Sequence, residues 1–497
     1  MAQRHVIIIG AGIGGLMAAM VLAGRGFKVT LLERAATPGG KMRQLQDGGR
    51  AMDAGPTVFT LKPIFEEAFA SVGLDFDSCV PTQRAQILAR HAWDSPDCFD
   101  LHADIAQARD TIGTFFSAQD AQGFTRFCTD SARVWNSLKS DFVRAPKPSF
   151  MGLLASAGLR GLPDLLAVSP FQRLWPSLGS YFKDPRLQQL FGRYATYVGS
   201  SPFLSPATLM LIAHVEQSGV WMIEGGMHRL AQVCADCARA FGAIIRYQTH
   251  VDKIIPHTQQ PQVVLANGEK LTADAVIFNG DVSALSQGLL GPDVLGAAAP
   301  IAREHRSLSA LTWTCNTKAT GTGLVRHNVF FSSAYKNEFD AVRQQQLITD
   351  PTVYICAQDR GDEDDARSEA ERLLILINAP ATGDQQGFND SEIETSLRAV
   401  MQRLHRCGIE LDPQPSRATA TTPEGFNALL PGTGGALYGR SSHGWRATFE
   451  RDGVRSKLPG LYFAGGSIHP GAGVPMAALS GWTSAQCVIK DLTSASI

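Results

Sequence analysis

Val6-Ile7-Ile8-Ile9-Gly10-Ala11-Gly12-Ile13-Gly14-Gly15 decides the fold of this 497-residue chain. A four-residue β-branched run marks a strand buried on both faces of a parallel sheet. In the turn that follows, Gly10 makes the tight bend, Gly12 admits backbone beside a pyrophosphate, and Gly15 lets the next helix pack on the strand. Gly14 belongs to the same turn. The pyrophosphate then lies at the positive end of that helix, where unpaired N–H groups point at it. Gly26-Phe27-Lys28-Val29-Thr30-Leu31-Leu32-Glu33 supplies a second strand at βαβ spacing and ends on an acid. The Glu33 carboxylate can accept hydrogen bonds from adenosine ribose hydroxyls and repels a 2′-phosphate, which disfavours NADP. Arg34 follows it and is grouped with the cofactor-binding residues.

FAD and NAD proteins share this motif, and the segments around it select FAD. Pro38-Gly39-Gly40-Lys41-Met42 and Asp53-Ala54-Gly55-Pro56-Thr57 bring small residues where main chain must approach the pyrophosphate and the isoalloxazine. Lys41 offers positive charge there. More than four hundred residues on, Leu461-Tyr462-Phe463-Ala464-Gly465-Gly466 leads into His469-Pro470-Gly471-Ala472-Gly473 and a helix-like Val474 to Val488 that includes Met476. The two motifs form opposite ends of one FAD cradle. Between them, Ala275 to Asp281 reads as a buried strand returning to the cofactor sheet, and Val251, in a strand from Ala243 to Ile255, faces the adenine.

The remaining elements predict an interleaved α/β architecture. A single core is implausible at this length. A discontinuous FAD-binding domain takes 1–75, 226–300 and 421–497, with a helix over Pro63 to Val72. A substrate-binding domain takes 76–130 and 301–420, with strands at Ala310 to Cys315, Thr352 to Ala357 and Leu373 to Ile377. A helical lobe spans 131–225, and residues 85–225 read as mainly helical. Gln262 to Leu271 is strand-like, with Asn267-Gly268 as a hairpin turn.

A net charge of −1 and 44% hydrophobic residues give no sign of disorder or of nucleic-acid binding. Val6 to Gly24 is uncharged, yet five glycines and a strand-type start argue against a membrane span or signal sequence, so the expected location is cytoplasmic. The nine cysteines are dispersed and odd in number, which fits reduced thiols; Cys234 and Cys237 form the sole CxxC, read as helix packing, and no metal site is expected. The acidic run from Asp359 to Asp365 reads as a solvated loop. Neither Gly321-Thr322-Gly323 nor Gly432-Thr433-Gly434-Gly435 sits between a buried strand and an apolar helix. Without a second nucleotide fold, the flavin is expected to be reduced by an organic substrate, with oxygen or a quinone as electron acceptor.

Both ends of the chain, with Gly199-Ser200-Ser201-Pro202 and Gly219 to Met227 between them, resemble the bacterial phytoene desaturase family of carotenoid desaturases over essentially the whole length. Lys41 stands where many of that family carry Arg. Within the family, Arg193-Tyr194-Ala195-Thr196-Tyr197 and Pro475 to Gly481 are most similar to the hydroxyneurosporene and methoxyneurosporene desaturases. The resemblance implies a Rossmann-type FAD domain of the amine oxidase/phytoene desaturase kind with interleaved substrate and membrane-associated lobes. It also implies C3,C4 dehydrogenation of a 1-hydroxy or 1-methoxy acyclic carotenoid; phytoene desaturation is the alternative.

Such a substrate is about as long as a bilayer's hydrocarbon core, on the order of 30 Å. The enzyme is therefore expected on the inner face of a bacterial membrane, as a peripheral protein. Residues 131–200 carry nine Lys or Arg against three Asp or Glu, interleaved with aromatics such as Trp135, Phe142, Trp175, Phe182 and Phe191. That mixture suits an interface, and equally a helical lobe with buried aromatics. No catalytic dyad stands out; His469 is either a proton acceptor or a structural residue. An amine oxidase or a prenyl-lipid chaperone of the GDP dissociation inhibitor type shares the frame, but no amine-binding aromatic pair is marked, and the intact FAD motifs oppose a chaperone.

Overall fold

The β-branched run forms β1 (His5–Ile9), with Val6, Ile7 and Ile8 fully buried, and α1 (Ile13–Gly24) leaves directly from the glycine turn. The computed structural model describes residues 3–148, 172–362, 369–416, 419–447 and 449–494. β2 (Lys28–Leu32), β3 (Ile244–Arg246), β4 (Ala275–Phe278) and β5 (Leu461–Phe463) complete a five-stranded sheet in the order β5-β4-β1-β2-β3. Every pairing is parallel, with Ile7 between Thr30 and Val276. Thus β1 lies between the next strand of the chain and one from a distant part of it, the interleaving that the return of Ala275–Phe278 implied. The last helix, α2 (Val474–Ser494), packs across α1.

A larger, mostly antiparallel sheet carries the second core. Its spine is the 13-residue strand Ser309–Gly321, paired with Glu371–Ala379 so that Thr312 faces Leu376. Strands alternate their faces with period two. Ala310 and Thr312, with Leu374, Leu376 and Asn378, therefore line a central cavity, while Leu311, Trp313, Leu373, Ile375 and Ile377 pack into a core with the helix Asp390–Arg406. That helix begins in a capping box between Asn389 and Glu392. A third core is helical: Ala118–Leu138 packs on Leu174–Tyr181 so closely that a Cβ at Gly123 would lie 1.9 Å from the Tyr181 carbonyl oxygen. Phe124, Phe127, Phe182 and Phe191 fill it.

Several expectations change. Residues 85–102 are not helical: Ile87–Ala92 and Cys98–His102 form an edge hairpin of the large sheet, pinned by a bidentate Arg90–Asp100 pair. The boundary placed at residue 130 falls inside the helix Ala118–Leu138. Ala243 to Ile255 is two strands, because Gln248 adopts a left-handed conformation that turns the chain out of the cofactor sheet into Val251–Ile255. The acidic run is no solvated loop in its first part: Arg360 makes a buried ion pair with Glu371, Asp359 binds Arg372, and Asp362 accepts from the Gln86 and Ile87 N–H groups. Residues 363–368, which hold its remainder, lie outside the described residues.

Candidate active site

One cavity of about 980 Å³ runs from the cofactor sheet to the helical lobe, walled by Gly10, Gly12, Gly14, Glu33, Arg34, Gly40, Lys41, Gly55, Pro56, Thr57, Val251, Gly465, Gly466, Val474 and Met476. Gly15 is the one expected site residue off its wall. Its role is packing: a Cβ there would sit 2.2 Å from the Gly10 carbonyl oxygen. Gly10 has φ +100° and Gly40 φ +58°, conformations that favour glycine. Asn279, just beyond β4, lies beneath the whole turn, its amide donating to the Gly10 carbonyl at 3.1 Å. The two motifs meet here, since a Cβ at Gly14 would be 2.8 Å from the Ala477 carbonyl oxygen and 3.0 Å from the Gly465 nitrogen.

The cradle fits a dinucleotide. Gly12 caps α1 without a side chain, which leaves the helix's positive end open to phosphate. Glu33 follows β2 directly, its carboxylate accepting from the Ala11 N–H at 2.7 Å and the Ala35 N–H at 2.8 Å. It has lone pairs left for ribose hydroxyls. Arg34 points its guanidinium at the Ala428 and Leu429 carbonyls, tying the end of the helix Pro423–Leu429 over this part of the cavity. Lys41 donates to the Leu437 carbonyl; burial lowers its pKa, with Asp281 opposing. Arg451 binds the Tyr438 and Arg440 carbonyls and approaches those of Gly466 and Ser467, and burial brings its pKa down to about 10, again against Asp281.

Arg451 and Asp281 were not singled out from the sequence. Asp53 enters the sequence reading only as the start of the Asp53–Thr57 segment, but its carboxylate accepts from the Met227 and His228 N–H groups, and its backbone is clamped from both sides by the Gln358 amide.

Beyond the cradle the wall turns apolar, with Val58, Leu61, Leu138, Ile212 and Leu376 among its residues. One polar cluster interrupts it. Glu216 accepts from the hydroxyls of Tyr194 and, at 2.9 Å, Tyr197. Burial raises the Glu216 pKa, opposed by those bonds and by Arg193. Arg193 donates to the Tyr197 oxygen at 3.2 Å and lies 5.2 Å and 5.3 Å from the ring centres of Tyr197 and Tyr354. Burial alone would lower the Arg193 pKa, but Tyr197, Tyr354 and Tyr335 hold it above the usual value. The Tyr354 hydroxyl sits 2.6 Å from Thr57 Oγ1 and 2.7 Å from His327 Nδ1, linking this cluster to the Gly55–Thr57 segment. Glu216 left no local signal in the sequence, because its partners come from another helical segment.

His469 does not line the cavity. Its imidazole is fully buried, with Nε2 2.8 Å from the Phe142 carbonyl oxygen and the Phe142 ring edge-on at 5.1 Å. Burial lowers its pKa to about 4. Of the two roles open to it, the structural one fits. Cys234 is buried in the helix Met227–Ala240, and among the described residues no group of ligands could hold a metal ion.

Several residues of the 131–200 pattern are engaged within the protein. Arg133, Arg144 and Arg186 pair with Asp130, Glu67 and Asp184, and Arg193 turns into the cavity. Phe142, Phe182 and Phe191 are buried, and Trp135 lines the cavity. Met151 to Leu159 and Leu162 to Val168, the apolar stretches of that pattern, lie outside the described residues. Among those described, no helix is long and apolar enough to cross a membrane.

Comparison with known proteins agrees with this geometry. Residues 164–489 match the flavin containing amine oxidoreductase family, and residues 8–71 match an NAD(P)-binding Rossmann-like domain. The chain is 47% identical to a hydroxyneurosporene desaturase of Rubrivivax gelatinosus, covering 99% of this chain and 94% of that one. It is 30% identical to a 1-hydroxycarotenoid 3,4-desaturase of Flavobacterium sp. strain P99-3, over 96% and 97% of the two chains. Among solved structures, an oxidoreductase from Methanosarcina mazei shares the fold with a TM-score of 0.62 at 14% identity, over 98% of this chain and 100% of that one.

Proposed function

This chain belongs to the flavin containing amine oxidoreductase family and to its hydroxyneurosporene desaturase members, and we propose from that premise that it desaturates the C3,C4 bond of 1-hydroxy or 1-methoxy acyclic carotenoids. It is an FAD-dependent oxidoreductase acting on CH–CH bonds in carotenoid biosynthesis. The observation that carries the substrate is the cavity itself, in which the dinucleotide cradle opens into an apolar chamber walled by long aliphatic and aromatic side chains.

The glycine turns, Glu33 and the Gly465–Met476 segment would hold FAD, which when bound would supply a hydride acceptor. The substrate loses a hydride and a proton from adjacent carbons and gains one double bond. Because an existing polyene spreads the positive charge, the site needs little acid–base machinery. The chamber's role is to exclude water and lay the chain along the cradle.

Electrons leave to oxygen or a quinone in this proposal, and the protein works as a peripheral protein on the inner face of a bacterial membrane. The membrane contact is supported by the exposed cations Lys139, Lys147, Arg173 and Lys183 on the helical lobe. Purified flavin-loaded protein in lipid vesicles tests the substrate. Oxygenated acyclic carotenoids should give a product two hydrogens lighter with red-shifted absorption. Conversion of phytoene to neurosporene or lycopene, with no preference for the oxygenated compounds, would establish the alternative.

A further inference from the structure

Among the described cavity-lining residues contributed by the helical lobe and the large sheet, only Arg193 and Glu216 are charged. Their states differ. Glu216 is engaged at both carboxylate oxygens, each of which accepts a tyrosine hydroxyl. Arg193 makes one hydrogen bond, to the Tyr197 oxygen, it has no carboxylate in ion-pair contact among the described residues, and its other contacts are the faces of two phenol rings. A guanidinium has five N–H donors in a fixed fork. The rest make no hydrogen bond among the described residues, and the side chain lines the cavity. A cation kept in such a place with a single protein acceptor calls for a further acceptor from the ligand.

We propose that Arg193, oriented by Tyr197 and Glu216, is the subsite that receives the end-group oxygen of the carotenoid. The inference rests on the desaturase reading above and adds the residue that sets its specificity. Two features fit. A methoxy oxygen can only accept a hydrogen bond, and a hydroxyl can do so too, so a site serving both end groups must be a donor; a guanidinium is donor only. The position also fits the chemistry. Arg193 touches the Tyr354 ring, and Tyr354 touches Thr57, so the donor lies two side chains from the Gly55–Thr57 segment of the cradle. In the substrate, C3 lies two carbons from the oxygen-bearing C1. An oxygen anchored on Arg193 keeps the C3,C4 end close to that segment and sends the apolar polyene away along the chamber.

Glu216 explains how the anchor is held. It accepts the Tyr197 proton, which leaves the phenol oxygen as an acceptor for Arg193 and fixes the fork against rotation. Arg193 and Tyr197 are specificity-determining residues, and Glu216 is a positioning residue.

The test compares wild type with Arg193→Met, Arg193→Lys and Tyr197→Phe on three carotenoids: 1-hydroxylated, 1-methoxylated and the parent without oxygen. Turnover is followed by absorption, and binding by quenching of tryptophan fluorescence, since Trp135 and Trp445 line the cavity. Wild type should prefer both oxygenated compounds. Arg193→Met should lower kcat/KM and affinity for them by about 10- to 100-fold while the parent changes far less, so that the preference collapses. Arg193→Lys should fall between, and Tyr197→Phe should lose part of the preference. Flavin content reports folding of each variant. Equal losses on all three compounds, or a preference that survives in Arg193→Met, would overturn the assignment, as would wild type binding all three alike. If wild type binds the oxygenated compounds selectively through Arg193 but desaturates none, the subsite stands and the desaturase reading falls.

Discussion

Gly481 lies against Gly14: a Cβ at Gly481 would fall 1.9 Å from the Gly14 carbonyl oxygen. The helix that begins the nucleotide fold and the helix that follows the second glycine motif thus cross backbone to backbone. The crossing fixes the cradle, because the Ser480 hydroxyl, one residue away, accepts from the Gly465 N–H at 2.8 Å and donates to the Ala477 carbonyl at 2.7 Å.

Gly481→Ala should therefore separate the two helices and open the cradle, at a cost of about 1–3 kcal/mol or more for overpacking. The expected result is a lower melting temperature and a reduced flavin-to-protein ratio. Gly179→Ala is the control: a Cβ there meets nothing within 4 Å, so stability should hold or rise slightly. A Gly481→Ala protein with wild-type melting and full flavin would show that the crossing does not set the site.

The parts of the fold legible from sequence are those set by local chemistry. Gly10, Gly12, Gly15 and Glu33 announce a turn and a strand end, and Ala275–Phe278 announces a buried strand, because each constraint acts within a few residues. What stayed hidden depends on contacts across the chain. Glu216 meets Tyr194 and Tyr197 only once the helical lobe has folded, and Arg360 finds Glu371 only through the large sheet. Aromatic content could not separate an interfacial belt from a core, since the same rings serve both; Phe182 and Phe191 went to the core. The break at Gln248 was invisible because its left-handed conformation has no strong residue signal.

Glu33 both faces the cavity and braces the turn, since its carboxylate accepts from Ala11 and Ala35. Glu33→Arg removes both bonds, each worth about 1.5–3 kcal/mol when the acceptor is charged, and places a bulky cation where ribose should lie. FAD affinity should drop by more than tenfold, read from flavin fluorescence on titration. Cys234→Ala leaves the cradle untouched and should keep full flavin with a modest loss of stability. Folded Glu33→Arg retaining all its flavin would sink the assignment of Glu33.

Neither NADH nor NADPH should promptly reduce the bound flavin. Among the described residues one sheet alone has the all-parallel order of a nucleotide fold. The other glycine clusters are accounted for otherwise: Gly321 ends a strand of the large sheet, and Gly435 packs on the Pro423 carbonyl. Anaerobic stopped-flow mixing with each nucleotide should leave the flavin band intact over seconds. Rapid bleaching would reveal a nicotinamide site.

His469 makes the acid stability of the protein testable. Burial lowers its pKa from 6.5 to about 4 in the folded chain. Between these values the unfolded chain binds a proton that the folded chain refuses, so the contribution of neutral His469 is complete above pH 6.5 and is lost as pH falls toward 4. The loss amounts to on the order of 3 kcal/mol. His443, at about 4, and His91 and His327, at about 3, act in the same direction through burial. His469→Gln keeps an N–H able to reach the Phe142 carbonyl but does not titrate. The variant should be somewhat less stable than wild type at pH 7.5 because the ring's packing on Phe142 is lost, yet its stability should fall less steeply between pH 6.5 and 4. Denaturant unfolding at a series of pH values measures both slopes, and equal slopes would refute the assignment. Because the imidazole does not line the cavity, the pH profile of kcat should be the same in the variant; a profile that shifts would return His469 to the chemistry.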